Sequence, residues 1–157
     1  MTSWFDACFE KVIGYESGYT LDPKDPGGET NWGISKRAYP SLDIKNLTQA
    51  DAKAIYKWDY WDRAQCDKLP ASLAMIVFDA AVNSGIGQSI RFLQRAVGVA
   101  DDGVLGPLTL AAISRMDTES LCARFLGQRL DFLTKLSTWD YFGKGWSRRI
   151  ADQLKGL

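Results

Sequence analysis

Residues 17 to 34, SGYTLDPKDPGGETNWGI, constrain the fold more than any other stretch, because they hold two prolines and four glycines. Proline removes a backbone donor and fixes φ, and glycine favours the turns that other residues resist, so no helix can run through this segment. A short hairpin or an irregular loop fits, with residues 19–21 and 31–34 as brief strands. On both sides of it apolar residues recur at helical spacing. The chain is therefore expected to be mainly α, with at most a small β-hairpin beside this loop.

Before the loop, Trp4, Phe5, Cys8, Phe9, Val12 and Ile13 repeat at three- and four-residue intervals, with Thr2 or Ser3 available as N-cap. After it, Thr48 opens a second helix with Asp51 as a weak capping box, carrying Ala52, Ile55, Tyr56 and Tyr60 along one face. Its end, KWDYWDR, is dense in aromatic residues. Pro70 is placed as the first residue of a helix in which Leu73, Ile76, Val77, Ala80 and Ala81 share a face while Phe78 and Val82 lie off it. A helix apolar on more than one side is a buried one, so residues 70–84 are expected to form the central helix of the core. Further helices are expected over 87–97, stopped by Gly98, from Pro107 through Ile113, and from Asp117 or Thr118 through Leu136. A last one carries Tyr141, Phe142, Trp146, Ile150 and Leu154. No low-complexity linker or repeat interrupts the chain, and a seam near 85–87 is too short to free two domains, so 1–157 reads as a single domain.

At 157 residues the chain is long enough to bury a core without disulfide or metal. Nineteen basic residues balance nineteen acidic ones, so bulk charge gives no reason to expect nucleic acid as a partner. Histidine is absent. That removes zinc hydrolases with histidine ligands, Cys–His peptidases and Ser–His–Asp hydrolases together. Cys8, Cys66 and Cys122 lack the paired spacing of a metal site and suit a reducing compartment. Neither a cofactor nor a metal is expected. No secretory signal and no apolar run long enough for stable membrane insertion is seen, which points to the cytoplasm.

Without histidine or metal, acid–base chemistry falls to carboxylates. Glu16 follows Val12 by four residues and Ile13 by three, so it continues the apolar face of the first helix. Low polarity there raises a carboxyl pKa, as a general acid near neutral pH requires. The alternative is that the helix frays at Gly14 and leaves Glu16 solvated. Asp25 lies nine residues on in a polar loop where nothing opposes ionisation, and Thr30 can hold Asp25 or a water in place. Two carboxylates in unlike surroundings are what hydrolysis of a glycosidic bond needs. Asp22 rivals Asp25, and both can instead serve only as Asx-turn residues. Tyr19 and Trp32 are candidate faces for a sugar ring, or core residues. Asn83 and Ser84, at the end of the central helix, can hydrogen-bond an N-acetyl group or simply cap the helix.

The run YESGYTLDPKDPGGETNWGIS resembles the N-terminal motif of glycoside hydrolase family 108, the N-acetylmuramidase endolysins of phages and prophages and their "secretion activator" relatives. FDAAVNSGIGQSIRFLQRAVGVADDGVLGPLTLAAI and KGWSRRI are similar to the peptidoglycan-binding region that follows in that family. The resemblance implies a lysozyme-like orthogonal helix bundle, with residues 1–86 as the catalytic part and 87–157 as a helical peptidoglycan-binding part of the same unit. It assigns the catalytic acid to Glu16, in Glu16-Ser17-Gly18-Tyr19, where the family usually has glycine at the position of Ser17. The order of Glu16, Asp25 and Thr30 also looks like the catalytic trio of tailed-phage lysozymes, with the second gap one residue shorter. The implied activity is cleavage of the β-1,4 bond between N-acetylmuramic acid and N-acetylglucosamine in bacterial peptidoglycan. The implied route is storage in the host cytoplasm and holin-dependent release to the wall. Lytic transglycosylase action on the same bond, or non-catalytic wall binding or secretion-associated work, are the alternatives. Wall affinity in the DDGVLGPLT loop is a further suggestion, against a plain turn before a helix.

Overall fold

The computed structural model describes residues 3–13 and 18–157. Among these are seven α-helices and one small sheet: α1 Trp4–Ile13, β1 Thr20–Leu21, β2 Glu29–Asn31, β3 Ile34–Ser35, α2 Gln49–Tyr56, α3 Ala71–Ser84, α4 Ile86–Val97, α5 Pro107–Ser114, α6 Thr118–Thr134 and α7 Trp139–Lys155. The chain forms two compact units, Met1–Trp61 and Asp62–Leu157.

In the first unit, Ser3 caps α1 reciprocally with Asp6: the Asp6 amide donates to the Ser3 hydroxyl at 3.1 Å and the Ser3 amide to the Asp6 carboxylate at 2.9 Å. Phe5, Cys8, Phe9 and Val12 are buried as the spacing predicts, with Phe9 edge-on to Tyr56 and Phe5 edge-on to Trp61. The capping box at α2 is complete, Thr48 and Asp51 each satisfying the other's amide. What the sequence did not announce is the end of this helix. Residues Lys57–Asp62 continue as π-helix, one residue wider per turn, which turns Trp61 inward to 1% exposure and leaves Trp58 72% exposed.

The loop region departs from expectation in one respect. Three strands form instead of a hairpin, ordered β1-β2-β3 and antiparallel throughout, and the stretch 31–34 is a turn with strand only at its ends. Asn31 pairs with Ile34 across Trp32 and Gly33, at φ 54° and 75°. Positive φ at both central residues is the signature of the type I′ turn that matches strand twist.

The second unit is built on α3. Leu73, Ile76, Val77, Phe78, Ala80 and Ala81 are all completely buried, the all-round burial expected of a central helix. It packs on α4 and α6, and α6 packs on α7. Pro70 proves to be the N-cap rather than the first helical residue, and Asp117 caps α6 by accepting from the Ser120 amide at 2.9 Å. Phe92 on α4 meets Phe125 and Phe132 of α6 edge-on. Cys8, Cys66 and Cys122 are buried thiols outside any disulfide; burial pushes the Cys8 thiol up to about 12, so it packs as a hydrophobe.

Candidate active site

In the first unit, β1 and β2 are joined by Asp22-Pro23-Lys24-Asp25-Pro26-Gly27-Gly28, and this segment folds as two successive turns of the same kind. The Asp25 amide donates to the Asp22 carbonyl at 2.9 Å and the Gly28 amide to the Asp25 carbonyl at 3.0 Å. In each turn proline follows the first residue, where its fixed φ is already correct. In each, the leading aspartate accepts from the amide two residues on: Lys24 to Asp22 Oδ1 at 2.9 Å, Gly27 to Asp25 Oδ1 at 2.7 Å. Asp25 is thus the hinge between the turns. Gly27 lies so close beneath it that a Cβ there would sit 3.2 Å from Asp25 Oδ1.

Both aspartates therefore make the Asx-turn bonds that their spacing allows. The bond occupies Oδ1 alone, and an ionised carboxylate has about four acceptor sites. Asp25 is exposed, so Oδ2 is oriented by the turn and open to a ligand or a water. Asp22 has the same arrangement. Asp25 alone is held on both sides, with its own amide and its carbonyl each closing a turn.

Thr30 lies at the middle of β2, paired on one side with Thr20 and on the other with Ser35. Alternation along a strand puts Glu29 and Asn31 on the face opposite Thr30. Glu29 accepts from the Tyr19 hydroxyl at 3.1 Å. Partial desolvation and then the Glu29 carboxylate hold that phenol above its ordinary range. Asn31 is 7% exposed, and its Nδ2 reaches the carbonyls of Ile44, Lys45 and Leu47 at 3.0, 3.4 and 3.3 Å. The sequence did not single out Asn31 or Glu29.

Trp32 is half-buried in left-handed backbone, a conformation that costs a residue with Cβ about 1 kcal/mol or more. Two bonds hold it there. Its Nε1 donates to the Leu47 carbonyl at 3.0 Å, and its own carbonyl accepts from the Tyr56 hydroxyl at 2.8 Å.

Glu16 and Ser17 lie outside the described residues. Asp25, Thr30, Tyr19 and Trp32 all belong to the sheet of the first unit and its connections. Asn83 and Ser84 belong to the second unit, in the last turn of α3, with Asn83 exposed and Ser84 half-buried; Gly85, at φ 91°, ends that helix and begins α4. Among the described residues no three of Asp, Glu and Cys stand close enough to hold a metal ion.

A second polar group, unforeseen from the sequence, lies deep in the second unit. Asp79 on α3, 2% exposed, accepts from Arg129 Nη1 of α6 at 2.6 Å, and from Arg149 Nε at 2.9 Å and Gln153 Nε2 at 2.8 Å, both of α7. Burial raises the carboxyl pKa, but the two guanidinium charges and their hydrogen bonds overcome it and hold Asp79 below the usual carboxylate range. The available signal was a single aspartate within an otherwise apolar central helix. The DDGVLGPLT loop has a structural explanation as well: Gln94 donates to Asp102, Val104 and Thr109 and accepts from the Gly103 amide at 2.9 Å.

Comparison with known proteins matches residues 9–85 to the model of the family described as glycosyl hydrolase 108 and residues 88–151 to that of a "Predicted Peptidoglycan domain". The first range contains all seven candidate residues. The division between the matches follows α3, whereas the compact units part at Trp61–Asp62, since α3 packs with α4 and α6. The SagA structure from Brucella abortus is similar, with 36% identity, 96% of this chain and 91% of that chain covered, and a TM-score of 0.86. No curated protein matches. The fold is mainly α and lysozyme-like, and the chain belongs to the glycosyl hydrolase 108 family.

Proposed function

We propose that this chain is an N-acetylmuramidase of the endolysin kind, cleaving the β-1,4 bond between N-acetylmuramic acid and N-acetylglucosamine in bacterial peptidoglycan. The observation that carries the reading is the tandem match, a glycoside hydrolase followed by a peptidoglycan domain in one chain. Glu16 protonates the leaving oxygen. Asp25, whose double turn fixes the carboxylate while leaving Oδ2 open, stabilises positive charge on the sugar or activates water, and Thr30 orients it. Trp32 supplies an aromatic face and the Tyr19 hydroxyl a donor for sugar oxygens. Asn83 and Ser84 supply polar contacts to an acetamido group. The chain is made in the bacterial cytoplasm and reaches the wall through a holin.

Clearing of outer-membrane-stripped cells, followed by mass spectrometry of the soluble products, tests this. Wild type should clear the cells and release reducing muramic ends, and Glu16→Gln should be slower by at least about 10²-fold. Equal clearing by both would remove Glu16 from the mechanism. A preponderance of 1,6-anhydro-muramic ends would replace hydrolysis by transglycosylation, and no clearing by wild type would leave a wall-binding protein.

A further inference from the structure

The first two turns of α7 carry four aromatic residues that the fold does not bury as a core. Tyr141 is 83% and Phe142 47% exposed, and Trp139 and Trp146 are half-buried. Positions 139, 142 and 146 lie on one helix face. The same stripe continues into Arg149, Ile150 and Gln153, where it is committed to the interior: Ile150 is 2% exposed, and Arg149 and Gln153 bind Asp79. One face of one helix is thus core at its C-terminal half and open aromatic surface at its N-terminal half.

The rings are arranged against one another. Phe142 and Trp146 have centroids 5.6 Å apart and planes only 30° apart, forming a shelf, with Trp139 6.2 Å from Trp146 and Tyr141 edge-on to Phe142 at 4.6 Å. Gly143 shows that the fold gives up helix stability to keep this arrangement. A glycine inside a helix costs about 1 kcal/mol relative to alanine. Here a Cβ would lie 2.6 Å from two atoms of the Trp139 ring, so only glycine lets that indole lie against the helix backbone. Lys144 and Arg148, one turn apart, are exposed on the side of α7 that carries Tyr141, away from the face of 139, 142 and 146.

We infer that this aromatic shelf is a second glycan-contact surface, which holds peptidoglycan strands against the second unit independently of the catalytic residues. Aromatic planes suit this ligand, because pyranose rings present apolar C–H faces, and Lys144 and Arg148, on the side of Tyr141, complement the carboxylates of the attached stem peptides. The four aromatic residues fall within the segment matched to the peptidoglycan domain. The DDGVLGPLT loop, by contrast, has its polar groups engaged by Gln94. The inference rests on peptidoglycan being the substrate, not on which carboxylate does the chemistry.

The test is co-sedimentation with purified insoluble sacculi in the Glu16→Gln background, so that digestion does not erase binding, with turnover by the otherwise wild-type chain measured separately. Tyr141→Ala with Phe142→Ala removes two exposed rings and should leave the melting temperature unchanged. Gly143→Ala displaces Trp139 without removing any ring. Each is expected to weaken sedimentation about tenfold or more, while hydrolysis of short soluble muropeptides by the same variants with Glu16 intact stays at the parental rate. Unchanged sedimentation in both variants would overturn the inference. So would adsorption to phosphatidylglycerol-containing vesicles in place of sacculi, or a wild-type dimer that the variants convert to monomer. If wild type sediments with sacculi and the variants do not, yet wild type never digests them, the surface stands and the muramidase reading fails.

Discussion

Asp25 and Asp79 are both aspartates embedded in hydrogen bonds, and their surroundings give them opposite duties. Asp25 is exposed and bonded through one oxygen to a backbone amide that an asparagine oxygen can equally satisfy. Asp25→Asn is therefore expected to keep the melting temperature and lower kcat by about 10² to 10⁴ in a turbidity assay. Asp25→Ala should lower both. An Asn variant with full activity would assign the residue to the turn alone. Asp79 is buried among Arg129, Arg149 and Gln153, and removing its charge strands two cations in the interior. Asp79→Ala should destabilise by about 3–5 kcal/mol, read as a lowered denaturant midpoint. The pH dependence has a definite sign. Asp79 is held below its unfolded value, and Asp6 is drawn down to about 2, first by Lys53 and then by Ser3. A depressed carboxyl stabilises the fold fully above its unfolded pKa and loses that contribution as pH falls through the folded one. Thermal stability should accordingly fall as pH drops from about 4 towards 2, and a flat profile there would contradict the assigned pairs.

At the scale of elements, the sheet is the least self-sufficient part of the fold. Strands of two or three residues bury little, and β2 is tied down by the Asn31 side chain on three carbonyls of the 44–47 segment. Asn31→Ala is expected to cost about 1–3 kcal/mol and to slow catalysis with it, because Thr30 and the Asp25 loop share that strand. Hydrogen exchange should then show faster labelling of residues 29–36, with α4 and α6 unaffected. How legible each element was in the sequence follows the same division between local and distant bonds. Caps, helix stops and the buried α3 were readable, because Thr48 with Asp51, Gly98, Asp117 and a mostly apolar run act within a few residues. The turn at Trp32-Gly33, the π-helical end of α2 and the Asp79 group were not. The first and the last depend on partners far along the chain: Leu47 and Tyr56 for Trp32, Arg129 and Arg149 for Asp79. In the candidate site, the Asx-turn bonds of Asp22 and Asp25 were readable from their spacing, while Asn31 is identified only by the carbonyls it reaches.

On the scale of the whole molecule, nineteen positive charges against nineteen negative ones leave no bulk field to draw the protein to an anionic wall. Adsorption has to come from local contacts, and apolar stacking is insensitive to screening. Sedimentation with sacculi should therefore persist at about 1 M salt, where the screening length is only about 3 Å. Loss of adsorption at that salt would place the affinity in Lys144 and Arg148 rather than in the rings. The glycines of α7 add a property that a static view of the surface omits. Its C-terminal half is riveted through Arg149 and Gln153 to a buried carboxylate, while its N-terminal half carries Gly143 and Gly145, which lower the cost of unwinding. Opening should therefore run as a gradient along one helix. The aromatic end can adjust its pitch to an irregular, cross-linked polymer, while the anchored end keeps that compliance from reaching the core.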